Sequence, residues 1–406
     1  MSCFVFLRMD DPFESNSNIC EIKKALQNND FATAAAKIQE YLDEQDNIAL
    51  NIAITGESGS GKSTFVNAIR GVDNKDKEAA PTGCVETTKA VTPYPHPNYP
   101  NVTVWDLPGV GTTNFPVKKY LEHVGFEKYD FFIIISQTRF SENDANLAKK
   151  IKQMEKNFYF VRSKIDADLY SEKESKREFN EKQTLDSIKK NCTEGLQKLG
   201  VAAPQVFLVS NFKLHQFDFH LLQNTLQREL PAHKKTTLLF AMPNVSQEII
   251  NKKKEAFHNN IKYYAMISAV GAAITVPGLS VSVNLALLIQ VVRKYLVGFG
   301  LDKPTLQRLA ARTGVPMSKL TDGLRSPLVA KTINNGLMLK VLSQLPTITA
   351  LMIAEEGSKA IPIFGIGISM TLSSFMTYKA LSFFLDMLAK DAQTVFTRAL
   401  GLNTPV

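Results

Sequence analysis

Cysteine is scarce in this chain of 406 residues: Cys3, Cys20, Cys84 and Cys192 stand far apart, with no CxxC pair and no histidines at zinc-ligand spacing. That excludes a disulfide framework or a zinc ribbon and points to reduced thiols in a cytoplasmic protein. Clustered positive charge is also missing. Lys and Arg number 47 against 39 Asp and Glu, a net charge of +8, yet no basic run is longer than Lys252 to Lys254, so the charge does not call for nucleic acid. It supports only a weak preference for anionic ligands or membrane surfaces. A signal-peptide core is absent as well, because the apolar stretch Cys3 to Leu7 soon meets Asp10 and Asp11. Ser2 stands where N-myristoylation needs glycine, which leaves Cys3 acylation as the lipid route at this end. No internal repeat or low-complexity tract is visible. With 44% hydrophobic and 21% charged residues, wholesale disorder is excluded, and the length fits two or three packed units.

Apolar residues at helical spacing run from Ile19 to Leu42, broken and capped by Asn28, Asn29 and Asp30, so residues 1–46 read as a helical segment with a hairpin. Short β-rich runs follow at Ala49 to Thr55, Val102 to Trp105, Phe131 to Ser136, Phe158 to Ser163 and Val206 to Ser210, alternating with helix-length segments. Runs this apolar fit strands of a largely parallel sheet buried on both faces, an α/β domain over residues 47–235. Past Pro231 the strands stop, and residues 236–406 read as helical. Tyr263 to Val292 is thirty residues without a charge, and Ala360 to Tyr378 a further nineteen. Length alone makes each a membrane-span candidate. Pro277-Gly278 in the first and Pro362, Gly365 and Gly367 in the second favour broken helical hairpins buried in a helical domain, with membrane insertion as the competing reading.

The chemistry is carried by Gly56-Glu57-Ser58-Gly59-Ser60-Gly61-Lys62-Ser63, a full GxxxxGKS between a strand and the helical segment that begins at Thr64. Glycines let successive backbone N–H groups turn toward a polyphosphate, and the helix dipole favours its charge. Lys62 reaches the β and γ oxygens while the Ser63 hydroxyl ligates Mg²⁺. The third run ends in Asp106-Leu107-Pro108-Gly109, a DxxG in which Asp106 holds the Mg²⁺ shell through water and the Gly109 amide meets the γ-phosphate. Ser163-Lys164-Ile165-Asp166 is close to the N/TKxD that selects guanine. The Asp166 carboxylate accepts hydrogen bonds from guanine N1 and N2, which adenine cannot supply, and the Lys164 stem packs on the base. Ser163 departs from Asn or Thr but keeps a hydroxyl, so the expectation is shifted affinity with specificity retained. Ser210 and Asn211, after the next strand, fall where guanine O6 is contacted. These motifs in order define a GTPase domain with GTP and GDP as substrate and product and Mg²⁺ as cofactor. The switch threonine lies among Thr82, Thr87 and Thr88, and position 110 is Val where many small GTPases carry the glutamine that orients water.

The chain resembles the interferon-inducible immunity-related GTPases, in the subgroup with Lys rather than Met in the P-loop. The resemblance rests on GESGSGKSTFVNAIRGV (56 to 72), AAPTGCVETT (79 to 88), YPHPNYPNVTVWDLPGVGTTNFP (94 to 116), YDFFIIIS (129 to 136), NFYFVRSKIDAD (157 to 168) and PQVFLVSN (204 to 211). It continues through LPAHK (230 to 234) and more faintly to AKDAQTV (389 to 395). It implies a Ras-like P-loop domain with a mostly parallel sheet, plus an all-α domain formed by the N-terminal and C-terminal segments. It also implies a cytoplasmic, dynamin-like enzyme that assembles with itself and other family GTPases, peripherally, on endomembranes and the membranes of pathogen-containing vacuoles. Carried over by position, Thr88 becomes the Mg²⁺-sensing threonine and Glu86 the carboxylate implicated in hydrolysis, which would orient water or contact the ribose of the opposing nucleotide once G domains dimerise across the nucleotide face. Thr82 and Thr88 also match switch threonines that pathogen kinases phosphorylate in that family. Two other readings stay open: a nucleotide-gated interaction module with negligible hydrolysis, for which Val110 is the best support, and an integral membrane protein bearing a cytosolic GTPase domain.

Overall fold

A computed structural model of the chain describes residues 17–28, 30–83, 88, 90–110, 124–201, 203–272, 279–344 and 365–401. The chain divides into two compact units, one of Ile48–Ser246 with Ala311–Gly314, the other of Met1–Asn47, Gln247–Ala310 and Val315–Val406.

The first unit is built on six strands: β1 (Leu50–Thr55), β2 (Thr92–Pro95), β3 (Val102–Asp106), β4 (Phe131–Ser136), β5 (Phe158–Arg162) and β6 (Val206–Leu208). Their order in the sheet is β2-β3-β1-β4-β5-β6, parallel throughout except for the antiparallel edge pair β2 and β3. Because side chains alternate across a strand, the apolar runs feed two cores. Phe131, Ile133 and Ile135 of β4 join Ile52, Ile54 and Phe65 on one face, while Phe132 and Ile134 join Ala53, Phe160 and Leu196 on the other. The chain leaves β3 on one side of β1 and returns as β4 on the other. That reversal opens a crevice at the carboxyl ends of the strands, where α/β sheets hold their ligands. The glycine loop, Asp106 to Gly109, Ser163 to Asp166 and Ser210-Asn211 follow those ends of β1, β3, β5 and β6.

The second unit is helical. Its N-terminal hairpin, Ser17–Gln27 and Phe31–Asp46, turns at Asp30, whose side chain accepts the Thr33 N–H and caps the second helix. The long helices Gln247–Ala272 and Gly365–Ala399 pack together, and buried Ser268 Oγ, Ser373 Oγ and Thr377 Oγ1 hydrogen-bond between them at 2.7–2.8 Å. The helix Leu279–Gly298 buries Leu288, Val291, Val292 and Tyr295, and its basic end is tied down: Arg293 donates to Ile333 O, and Lys294 pairs with Asp46. Among the described residues no helix is long and apolar enough to cross a membrane. Pro277, Gly278 and Pro362 lie outside the described residues.

Candidate functional site

From Thr55 the chain enters the glycine loop with Gly56 at φ +138°, where an added Cβ would sit 2.1 Å from the carbonyl oxygen of Ile135. Only glycine lets the loop begin this close to β4. The loop feeds the helix Lys62–Ile69, and the Lys62 ammonium lies back across it, donating to Glu57 O at 2.9 Å and Gly56 O at 3.3 Å. Gly109 approaches from β3, its Cα so near Ser58 that a Cβ would meet Ser58 Cα at 2.8 Å.

Below the loop three oxygens converge. Ser63 Oγ donates to Asp106 Oδ2 at 2.6 Å, Thr88 Oγ1 donates to the same oxygen at 2.8 Å, and the two hydroxyls are 3.2 Å apart. Asp106 is fully buried, and among the described residues its Oδ1 has no hydrogen-bond partner. Burial pushes its carboxyl above the usual range, opposed by the Ser63 and Thr88 hydrogen bonds and the charge of Lys62. A cluster of small oxygen donors around a carboxylate with an unsatisfied lone-pair edge suits a hard divalent cation such as Mg²⁺.

At the other end, Ser163 is fully buried and its hydroxyl faces Ser60 O at 2.7 Å and Ser136 O at 3.1 Å. Lys164 stands at φ +57° before the helix Ile165–Ser175 and reaches back to Gly59 O at 3.0 Å and to Gln137 Oε1. Two acidic residues share that helix's first turn. Asp168 is engaged by Arg162 at 2.6 Å, whereas Asp166 is half-buried. Asn211 Nδ2 donates to Gly61 O at 3.3 Å, and buried Ser210 Oγ accepts the N–H groups of Phe212 and Lys213.

One cleft is lined by Ser58, Gly59, Gly61, Lys62, Ser63, Thr64, Thr82, Gly83, Thr88, Gly109 and Lys164. The other sequence candidates, Gly56, Glu57, Ser60, Asp106, Asp166, Ser210 and Asn211, are not part of this lining. Glu86 and Thr87 lie outside the described residues. Val110 is a core residue: it is 2% exposed, packs in the second core, and its N–H donates to Gly56 O at 3.1 Å.

Several supporting residues escape motif reading. Glu57 Oε1 accepts from Ser141 Oγ at 3.0 Å and Asn143 Nδ2 at 2.9 Å, so the loop is tied to the start of the helix Glu142–Gln153. Ser141 caps that helix with Asp144, whose carboxylate also takes the Ser136 hydroxyl at 3.0 Å. Asn67, fully buried, grips Ala80 through both ends of its amide at 2.7 and 2.9 Å, and Arg70 holds Glu78 O and Pro95 O. These two tether the segment that leads to Thr82. Their one local signal is a polar pair, Asn67 and Arg70, set among the apolar Phe65, Val66, Ala68 and Ile69.

Residues 15–399 match the sequence family described as Interferon-inducible GTPase (IIGP). Interferon-inducible GTPase 5 of Bos taurus is 39% identical over 380 residues, covering 93% of this chain and 81% of that relative. Interferon-gamma-inducible GTPase 10 of Mus musculus is 36% identical over 406 residues, 99% of this chain and 94% of the relative. Interferon-inducible GTPase 1 of Mus musculus is 36% identical over 383 residues, 93% and 89% of the two chains.

Proposed function

The chain belongs to the interferon-inducible GTPase family, and from that premise we propose that it binds GTP with Mg²⁺ in the cleft and completes hydrolysis through a second copy of its nucleotide-binding unit. It is a GTP hydrolase of an interferon-induced immune family. The observation that carries the reading of the site is the convergence of Ser63, Thr88 and Asp106 within 3.2 Å beneath the lysine-bearing loop.

In this reading Ser63 and Thr88 would hold the metal directly and Asp106 would hold it through water. A Mg²⁺ held there would supply neutralisation of the charge on the phosphate oxygens. Lys62, now held by two loop carbonyls, swings its ammonium onto those oxygens, and the Gly109 amide donates to the γ-phosphate. The backbone N–H groups of the loop from Gly56 to Thr64 cradle the remainder. Asp166 reads guanine N1 and N2, and Ser210 and Asn211 its O6. Val110 has an aliphatic, buried side chain and cannot orient the attacking water, so that task falls to another group. Glu86, the carboxylate of the switch segment, takes it, positioned when two units face each other across their nucleotides. Assembly at the membranes of pathogen-containing vacuoles, with peripheral attachment, is the cellular setting this reading adopts from the resemblance to family members.

The test is GTP turnover per molecule across a hundredfold range of protein concentration, with ATP as control. A specific rate that climbs with concentration, is absent with ATP and is flattened by Glu86→Ala supports the proposal. A low rate independent of concentration favours the second reading, an interaction module whose nucleotide state is its output, which the buried Val110 side chain would also fit. Lys62→Ala abolishes loading under either reading.

A further inference from the structure

A purine held at its edge by Asp166 and at O6 by Ser210 and Asn211 still has two apolar faces to cover. The Lys164 stem lies along one side of the slot: a Cβ on Gly61 would be 3.8 Å from Lys164 Cε and 3.5 Å from Asn211 Nδ2, so the lysine and asparagine lips meet at that glycine. On the asparagine lip the next residue is Phe212. It is 63% exposed, and among the described residues its ring meets no other ring or cation. Its backbone is fixed by a tight turn in which the N–H groups of Phe212 and Lys213 both point to Ser210 Oγ and the Lys213 N–H also bonds Ser210 O.

A second observation marks the same lip as incomplete. Asn211 is only 7% exposed, its Nδ2 is used on Gly61 O, and among the described residues its Oδ1 has no partner. Buried polar atoms in folded proteins are paired almost without exception, and a site finished by its ligand is one reason for an orphan. Phe212 is thus an exposed aromatic adjoining in sequence the buried residue whose amide oxygen is left open.

We infer that Phe212 stacks on the guanine base, closing the face opposite Lys164, and so is a nucleotide-affinity residue of this chain. This rests on the assignment of guanine reading to Asp166, Ser210 and Asn211. Stacking is blind to which base is present, so Phe212 adds affinity for any purine nucleotide and leaves discrimination to Asp166.

The experiment titrates GDP, ADP and inorganic triphosphate against the full-length protein, Phe212→Ala and Phe212→Trp. Phe212→Ala is expected to weaken GDP about 5- to 150-fold, the loss of one base–aromatic stack, with the GDP-to-ADP ratio and the affinity for triphosphate, which has no base, unchanged. Phe212→Trp is expected to retain GDP affinity and to lose indole emission when GDP binds, beyond any change seen from Trp105 in the parent protein. Tyr170→Ala, which removes an equally exposed aromatic (67%), is expected to leave all three affinities in place. Equal GDP affinity in the parent and Phe212→Ala overturns the inference, as does triphosphate weakened as much as GDP, or an equal loss in Tyr170→Ala. A Phe212→Ala protein that binds GDP normally but loses the concentration dependence of its turnover reassigns the ring to protein contact. A parent protein that binds GDP and ADP alike removes the guanine reading itself, and the stack with it.

Discussion

Replacing Ser163 by alanine separates two tasks that the guanine motif usually combines. The hydroxyl has one proton and two acceptors in reach, Ser60 O at 2.7 Å and Ser136 O at 3.1 Å. The Ser163 backbone N–H already donates to Ser136 O at 2.8 Å, so deletion of the hydroxyl falls on the Ser60 carbonyl. Ser60 and Ser163 are both fully buried, and water cannot readily replace the lost donor. One net hydrogen bond between neutral groups contributes about 1 kcal/mol, and a carbonyl left unpaired raises the cost to about 1–3 kcal/mol. In a unit of 150–250 residues each kcal/mol moves the melting temperature by about 2–4 °C. Ser163→Ala should therefore lower the thermal midpoint of the nucleotide-free protein by about 2–12 °C. Ser60 belongs to the phosphate loop, so GDP affinity should fall about tenfold by the same loosening. The GDP-to-ADP preference should persist, because Asp166 is untouched. Differential scanning fluorimetry and nucleotide titration read both quantities on one preparation. An unchanged midpoint together with a collapsed GDP-to-ADP preference would refute the reasoning and make Ser163 a base-reading residue.

Three further expectations use the same geometry. Gly56→Ala places a Cβ against a backbone oxygen of β4 at a φ that L-residues avoid, and urea unfolding should register a loss of about 4 kcal/mol or more. Thr88→Asp puts a carboxylate where a hydroxyl now donates to buried Asp106; GTP loading, followed by fluorescent-analogue titration, should fall by at least an order of magnitude through like-charge repulsion. Lys253 is 2% exposed, donates to Gly298 O at 2.9 Å, and burial pushes its ammonium down to about 7. The unfolded chain keeps that proton up to the ordinary lysine range, so between about pH 7 and 10 it binds the extra proton and stability rises with pH. The slope approaches about 1.4 kcal/mol per pH unit, and below pH 7, where both states are protonated, it vanishes. Denaturant melts of the parent protein against Lys253→Met should show that slope only in the parent, and identical pH profiles would refute it.

Much of the nucleotide unit is legible in the sequence because its information is local. Strand, glycine loop and helix start occupy adjacent positions, and the apolar runs from Ala49, Phe131 and Phe158 become β1, β4 and β5 with ends shifted by no more than a residue. β2 is illegible for a physical reason. It reads Thr-Pro-Tyr-Pro, and two prolines argue against a strand except at a sheet edge, where one side needs no ladder donors. The supporting shell is hidden by distance along the chain: Glu57 meets Ser141 across 84 positions, and Ser163 meets Ser60 across 103. Nothing short-range distinguishes those serines from loop residues. Likewise Phe212 reads as one more apolar residue until its exposure is known.

The helical unit joins residues from both ends of the chain, and that has a consequence for synthesis on the ribosome. Ile22, Ala34, Ile38 and Leu42 of the N-terminal hairpin are buried in the finished protein, and Tyr41 meets the ring of Tyr263 at 5.3 Å. When the hairpin emerges, its partner helix Gln247–Ala272 has yet to be made. At about 5–20 residues per second the wait lasts roughly 10 to 40 seconds. Throughout that interval the nascent chain carries an uncovered apolar face while most of the nucleotide unit, Ile48–Ser246, is being made. Chaperone demand should therefore peak early, during elongation, and a chain interrupted after Ser246 would keep that face exposed for good.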